Sequence, residues 1–177
     1  MMGVLNFAHA SFYMLGAYVA YAVSSVFGFW VGLLAAPIVV AVFGFAVERF
    51  LLRRVHAFGH AHELLLTFGL ALIIEELIKL FFGDFPVNYQ MPDQLRFAAF
   101  TIFGTVAVVM FVVLWLLLSR TRIGIVVRAA ERLPSMAEAL GHNIPMVFMG
   151  VFGVGAALAG LAGAVAGAFY PTNPNMA

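Results

Sequence analysis

The first 47 residues contain no lysine, arginine, aspartate or glutamate. A stretch of this length cannot form the surface of a soluble domain, in which about 25% of residues are charged. It is also too long for the core of a signal peptide, and no basic leader precedes it. Over the whole chain 64% of residues are hydrophobic, 10% are charged, and the mean hydropathy is +1.07. The sequence therefore predicts an integral membrane protein.

Five apolar stretches are long enough to cross a bilayer, for which a helix needs about 20 residues. Each is a continuous apolar run, whereas the strands of a membrane β-barrel alternate in polarity. Helices also satisfy their own backbone hydrogen bonds in lipid. We predict an all-α, polytopic integral membrane protein with about five transmembrane helices and one cytoplasmic helical loop. The predicted spans cover residues 5–26, 29–47, 64–82, 97–118 and 146–169.

Basic residues are concentrated in the loops after the second and the fourth span. Because short cytoplasmic loops are enriched in Lys and Arg, these two loops and the N-terminus are predicted to face the cytoplasm. The loop after the third span is poor in basic residues, as an alternating topology requires. The residues that carry this prediction are Arg49, Arg53, Arg54, Arg120, Arg122, Arg128 and Arg132.

Residues 119–142 form the one sizeable polar loop, and they contain signals for two short helices. Apolar residues at helical spacing predict an amphipathic helix that ends before Pro134. Ser135 and Glu138 match a capping box that would begin a second helix, with Gly141 as its stop. A loop that only fixes topology or touches anionic lipid requires charge but no defined fold. We therefore favour a docking element for a soluble partner. The predicted apolar face comprises Ile123, Val126, Val127, Ala130 and Leu133.

Small residues recur four apart along the last span and predict close helix packing. We assign Gly160, Gly163 and Gly167 to packing, with a path-lining role for some of them as the alternative. In the second span, Pro37 is predicted to bend or break the helix.

Polar side chains within the spans are candidates for a translocation path. Asn6 and His9 open the first span, either lining the path or capping the helix at the interface. Glu75 stands four residues before Lys79, and we favour an ion pair over a site for a substrate ammonium group. Thr67 is a further candidate, although a hydroxyl there more simply bonds its own helix.

A metal site is not expected in this chain. His56, His60 and His62 lie close together in sequence, but the loop after the second span is predicted to be flexible and offers no acidic companions. The chain also contains no cysteine.

Three stretches resemble signatures of one protein family. The sequence GVLNFAHASFYMLGAYVAY at residues 3–21, TFGLALIIEELIKLFFG at 67–83 and AAERLPSMAEALGHNIPMVFMGVFGVGAALAGLAGAVAG at 129–167 are similar to the permease subunits of branched-chain amino-acid ABC importers. The resemblance covers essentially the whole chain. It identifies residues 1–177 as one permease transmembrane domain, with 119–142 as its coupling loop.

The resemblance implies a set of partners and a location. Such permeases lie in the bacterial inner membrane, pair with a second permease subunit and receive the amino acid from a periplasmic substrate-binding protein. Cytoplasmic ATP-binding subunits bind the loop that matches residues 128–141 here. The chain has no Gly-rich phosphate loop, so we expect no enzymatic activity, and neither a cofactor nor a nucleic-acid partner. The implied docking residues are Arg128, Glu131, Glu138, Ala139 and Gly141.

Two alternatives remain open at this point. One is a urea or amide importer of the same family, because the signatures are shared. The other is a self-contained small channel or secondary transporter, which would need an ion or proton relay at Glu75 and Glu76. Because members of the family have further spans on both sides, we also expect the chain to be part of a longer permease.

Overall fold

The structure, a computed structural model, describes residues 7–87 and 99–172. Helices make up almost all of this part, and no β-strand occurs in it beyond one isolated bridge between Val87 and Thr172. The predicted all-α fold is confirmed. The main helices are α1 (Ala8–Phe27), α2 (Phe29–Val47), α3 (His60–Phe82), α4 (Ala99–Arg120), α5 (Arg122–Arg132), α6 (Pro134–Ala139) and α7 (Ile144–Gly167).

Four of the described helices are long and apolar enough to cross a membrane by length and composition. They are α1, α2 with its continuation to Val55, the segment Phe103–Arg120 of α4, and α7. The remaining predicted span corresponds to α3. Its 23 residues have the length of a span, about 34 Å. It is set apart by charge, since Glu75, Glu76 and Lys79 lie in its C-terminal half.

The second predicted span does not end at Val47. The helix continues through a π-helical turn, Glu48–Leu52, an α-helical turn, Arg53–Val55, and a 3-10 turn, His56–Phe58. Gly59, at φ +96°, ends this continuation and starts α3. The prediction of a flexible loop around His56, His60 and His62 is therefore wrong. The backbone keeps helical hydrogen bonds after the apolar stretch has ended. Pro37 was predicted to bend or break α2, and the helix is not broken there, since it runs through Pro37.

The core is formed by α1, α2 and α7, whose backbones meet at glycines. A Cβ on Gly163 would collide with the carbonyl of Tyr13 on α1, and one on Gly16 would collide with the backbone of Gly160. A Cβ on Gly160 would in turn lie 2.8 Å from the Cβ of Val40 on α2. These contacts require residues without side chains, as in other membrane helix pairs.

Gly167, the third predicted packing residue, lies in the same interface between α1 and α7, at the C-terminal end of α7. A Cβ there would be 3.2 Å from the Cβ of Ala17 and 2.9 Å from Oγ1 of Thr172. Thr172 also pairs with Val87 through two backbone hydrogen bonds of 3.0 Å. This pairing joins the end of α7 to the segment after α3.

One end of the bundle collects the start of α1, the end of the α2 continuation, and the starts of α3 and α7. Residues from all of these segments line one cavity there. An up-and-down arrangement requires this grouping, because successive spans reverse direction. The same end carries α5 and α6, so the geometry agrees with the topology that the basic residues predict.

Candidate functional site

Helix α5 is fastened to the end of α4. Thr121 caps α5, with its Oγ1 accepting a hydrogen bond of 3.2 Å from the Gly124 amide. A Cβ on Gly124 would collide with the carbonyl of Leu118, so the close approach depends on glycine. Arg128, a predicted docking residue, donates from its guanidinium to the same Leu118 carbonyl. In this position Arg128 satisfies a carbonyl at the C-terminus of α4, where a cation is favoured.

The break between α5 and α6 falls at Leu133, as Pro134 predicts. Leu133 leaves the helical conformation at φ −140° and ψ 72°, and Pro134 occupies the first turn of α6. The predicted capping box is wrong, because α6 begins before Ser135 and has no side-chain cap. Proline is favoured at the first helical position, which makes Leu133 the N-cap.

The end of α6 is a Schellman motif at Gly141. The amide of Gly141 donates to the carbonyl of Glu138 at 2.9 Å, and the amide of His142 donates to that of Ala137 at 3.2 Å. Gly141 has φ +86°, a conformation that residues with a Cβ rarely adopt. The predicted stop is confirmed, and it turns the chain directly towards α7.

A small apolar cluster joins this hairpin to α7. Ala130 of α5, Ala137 of α6 and Ile144 of α7 are buried together, and Val147 and Phe148 pack against them. Asn143 caps α7 by accepting a hydrogen bond of 3.2 Å from the Met146 amide. We call α5, α6 and the turn between them the coupling hairpin. It is held to α4 at one end and to α7 at the other.

The outer surface of the coupling hairpin is apolar as well as charged. Leu133, Met136 and Leu140 are 56%, 64% and 79% exposed. Ile123 and Leu133, two residues of the predicted apolar face, are both exposed. Sequence reasoning missed Met136 and Leu140, although two apolar residues four apart, one on α6 and one directly after it, are an available signal. The predicted docking residues Glu131, Glu138, Ala139 and Gly141 are exposed on the same hairpin.

A second polar region lies inside the bundle, next to the hairpin. A cavity of 250 Å³ is bordered by Glu48, His56, Glu63, Thr67 and His9 on its polar side. We call it the polar cavity. Its other walls are apolar and come from Leu52, Phe148, Val151, Phe152 and Gly155.

Two carboxylates of the polar cavity are withdrawn from solvent. The side chains of Glu48 and Glu63 are 6% and 7% exposed. His56 stands between them, with Nε2 at 4.0 Å from Oε1 of Glu48 and 3.7 Å from Oε1 of Glu63. Both distances exceed those of a hydrogen bond. Sequence reasoning missed both carboxylates. The available signal was that Glu48 is the first charged residue of the chain and directly follows an apolar span.

The predicted path residues are only partly brought together. His9 and Thr67 both reach the polar cavity, and Thr67 donates its hydroxyl to the carbonyl of Leu64 in its own helix at 3.0 Å. Glu75 lies elsewhere and pairs with Lys79, whose Nζ is 2.6 Å from Glu75 Oε1. Asn6 lies outside the described residues. No cluster suited to a metal ion occurs in residues 7–87 and 99–172.

Comparisons with a family model and with individual proteins point to the same family. The family described as "Branched-chain amino acid transport system / permease component" matches residues 1–176. The high-affinity branched-chain amino acid transport system permease protein LivH of Salmonella typhimurium is 26% identical over 192 residues. LivH of Escherichia coli is 25% identical over 194 residues, and BraD of Pseudomonas aeruginosa 26% over 193.

Each of these alignments covers 96% of this chain and 62% of the relative. The chain therefore spans about three fifths of the length of the curated relatives that it matches. No solved structure is detectably similar. With its apolar helices and a family match along nearly its whole length, this multi-pass membrane protein belongs to the permease components of branched-chain amino acid transport systems.

Proposed function

We propose that this chain forms part of the translocation path of an ATP-driven importer of branched-chain or related amino acids in the bacterial inner membrane. Its partners would be a second permease subunit, cytoplasmic ATP-binding subunits and a periplasmic substrate-binding protein. The names of the relatives support the substrate class, since all three are branched-chain amino acid permease proteins. The observation that carries the proposal is the exposed apolar surface of the coupling hairpin.

Docking of an ATP-binding subunit fits the composition of this surface. Leu133, Met136 and Leu140 are exposed beside the charged residues Glu131 and Glu138. Protein interfaces combine such an apolar centre with a polar rim. A soluble partner would bury these three side chains, each of which contributes about 1.5–3 kcal/mol when fully removed from water.

The hairpin is also built to transmit movement. Arg128 and Gly124 bind α5 to the end of α4, and the Ala130–Ala137–Ile144 cluster binds it to the start of α7. A partner that displaces the hairpin would therefore displace two membrane helices. This is the mechanical requirement for coupling ATP hydrolysis in a separate subunit to opening of a path.

Co-purification tests the docking proposal. The chain would be expressed with the ATP-binding subunit of its own transport system, and the captured ATPase quantified. We expect Met136→Asp with Leu140→Asp to abolish capture, and Glu138→Lys to weaken it. Phe85→Asp is the matched control, because Phe85 is 82% exposed at the opposite end of the bundle. Wild-type capture by the Met136/Leu140 double variant would refute the docking surface.

The alternative of a self-contained channel or secondary transporter gains no support. It depended on Glu75 and Glu76 as a relay, and Lys79 Nζ lies 2.6 Å and 3.4 Å from their carboxylates. Both acids lie within ion-pair distance of Lys79 on the same helix, which favours a structural role for them.

A further inference from the structure

We propose that an anionic phospholipid of the cytoplasmic leaflet binds in the groove between α4, α5 and α7, with an acyl chain along the groove and its phosphate at Arg122. We call this groove, whose volume is 780 Å³, the apolar groove. It is separate from the polar cavity except at His9, Val151 and Gly155, which border both. The proposal goes beyond transport, because it assigns to the chain a membrane ligand that is not its substrate.

The first argument is the chemistry of the walls. Apart from His9 and Arg122, the described residues that line the apolar groove are aliphatic residues, methionine or glycine. Several of these side chains remain exposed in the folded chain, among them Ile123, Met146 and Val154. Such a surface is stable against hydrocarbon and unfavourable in water. The ligand that fills the groove should therefore be apolar along most of its length.

The second argument is shape. The apolar groove follows one face of α7, along which its lining residues recur at helical spacing from Met146 to Ala159. This distance is about 20 Å along the helix, whereas one leaflet contributes about 15 Å of the hydrocarbon core. A helix about 10 Å across would occupy roughly 1,600 Å³ over the same length, about twice the volume of the groove. A helix can therefore lie across the groove but does not fit within it, whereas an acyl chain does.

The third argument is charge. Arg122, the first residue of α5, borders the apolar groove, and its guanidinium group is permanently ionised. Within residues 7–87 and 99–172, neither Arg122 nor Arg120 forms an ion pair. Guanidinium groups bind phosphate oxygens through paired hydrogen bonds. A headgroup with a net negative charge is therefore favoured over a zwitterionic one, whose own ammonium group offsets the attraction.

The fourth argument is position. The apolar groove lies beside α5, at the end of the bundle that is predicted to face the cytoplasm, and anionic lipids of the cytoplasmic leaflet attract basic residues there. Val126 and Val127 of α5 form part of its wall. A bound lipid would lie between α5 and the exposed face of α7. It would support the coupling hairpin together with the hydrogen bond from Arg128 to the Leu118 carbonyl.

The test is lipid binding to the purified full chain in detergent, measured by native mass spectrometry. Dioleoyl phosphatidylglycerol is the anionic probe, and dioleoyl phosphatidylcholine is the zwitterionic probe with the same chains. Glycerol 3-phosphate represents the headgroup without chains. We expect phosphatidylglycerol to bind at least fivefold more tightly than phosphatidylcholine, and glycerol 3-phosphate not to bind at the same concentration. Equal affinities for the two lipids, or equally tight binding of glycerol 3-phosphate, would overturn the proposal.

One pair of variants tests the headgroup contact. Arg122→Gln should lower the preference for phosphatidylglycerol about fivefold, which corresponds to the contribution of about 1 kcal/mol from one basic residue near an anionic surface. Arg132→Gln is the matched control, because Arg132 lies at the other end of α5 and should leave the preference unchanged. An equal loss in both variants would assign the effect to net charge and contradict a defined site.

A second pair of variants tests the acyl chain. Gly150 borders the apolar groove and has no atom within 4 Å of an added Cβ, so Gly150→Leu places a side chain in the groove without a collision at Cβ. Binding of both lipids should weaken at least tenfold, with an unchanged thermal midpoint in lipid-free detergent. Gly104→Leu makes the same change on α4 outside the groove and should bind both lipids normally. Val154→Phe narrows the groove from the same face and replaces Gly150→Leu if that variant does not fold.

Two further results would refute the site. One is wild-type lipid affinity in folded Gly150→Leu and Val154→Phe, because the acyl chain would then lie elsewhere. The other is loss of bound phosphatidylglycerol when the chain is assembled with its second permease subunit, because protein would then cover the apolar groove. Retention of the lipid in that assembly is the expected result.

Discussion

Glycines make close helix–helix contacts in the three-helix core, whereas the glycine of helix α4 makes none. In the core, Gly16, Gly160 and Gly163 let α1, α2 and α7 touch through their backbones. In α4, Gly104 has no atom within 4 Å of a would-be Cβ, and none of the segment Phe103–Arg120 is buried. Small residues in a membrane helix therefore indicate packing only where a neighbour is present.

Helix α4 borders an apolar groove instead of a packed interface. This groove of 780 Å³ lies between α4, α5 and α7, and is lined by side chains such as Leu114, Val126 and Val154. Its apolar walls favour contact with lipid or protein over contact with water. The core is stabilised within the described chain, whereas α4 depends on its surroundings.

The largest expected effect comes from adding a side chain to the core. Gly163→Leu would collide with the Tyr13 carbonyl and separate α1 from α7. Overpacking costs about 1–3 kcal/mol, and a backbone obstacle places this variant at the upper end. We expect a large drop in the thermal unfolding midpoint in detergent. Gly104→Leu on α4 is the control and should leave the midpoint unchanged; equal drops would remove the distinction between the two regions.

The next largest effect is expected from a substitution at the contact between α4 and α5. Gly124→Ala places a Cβ against the Leu118 carbonyl, so α5 must move away from α4. Limited trypsin digestion should then cleave faster at Arg122, Arg128 and Arg132, while the core unfolds at the wild-type temperature. Gly150→Ala is a matched control, because nothing lies within 4 Å of its Cβ. Unchanged cleavage would mean that α5 is not held by this contact.

A smaller effect is expected at the end of α6. Gly141→Ala has room for its Cβ but keeps φ at +86°, which costs a non-glycine residue about 1–2 kcal/mol. Amide hydrogen exchange should accelerate in Pro134–Ala139 and not in the core. Gly69→Ala, in the middle of α3 with no neighbour within 4 Å, should be neutral or slightly stabilising. Faster exchange throughout the chain would contradict a local role.

The smallest effect on local stability is expected when the hydrogen bond from Arg128 to the Leu118 carbonyl is removed. Arg128→Met removes the donor to the Leu118 carbonyl but keeps the aliphatic stem of the side chain. We expect slightly faster exchange at the start of α5 and normal capture of the ATP-binding subunit. Reduced capture with unchanged exchange would instead assign Arg128 to the docking surface, as the family resemblance implies.

Local backbone signals made the hairpin predictable. Pro134 and Gly141 constrain their own φ angles, so the break and the stop are readable without knowledge of the surrounding fold. The capping box failed because Ser135 competes with an adjacent proline that begins the helix one residue earlier. Where two local signals overlap, the covalently fixed one prevails.

The polar cavity was not predictable in the same way. Its residues come from four separate segments of the chain, and their meeting depends on the rotation of each helix within the bundle. Glu48 and Glu63 also looked like loop residues, because the apolar stretches around them end and begin nearby. Helical hydrogen bonding continues through these polar residues, which hydropathy alone does not reveal.

The contact between α1 and α7 also affects how the protein is made. These helices are the first and the last of the described part to leave the ribosome, and α2 meets α7 as well. In the finished bundle Gly160 of α7 packs against Gly16 and Val40. Until α7 is inserted, lipid or another protein contacts these two residues instead. Closure of this bundle therefore has to wait for α7, and long-range closure of this kind is slow. Premature termination before α7 would release membrane-inserted helices that lack the partner needed to complete their interface.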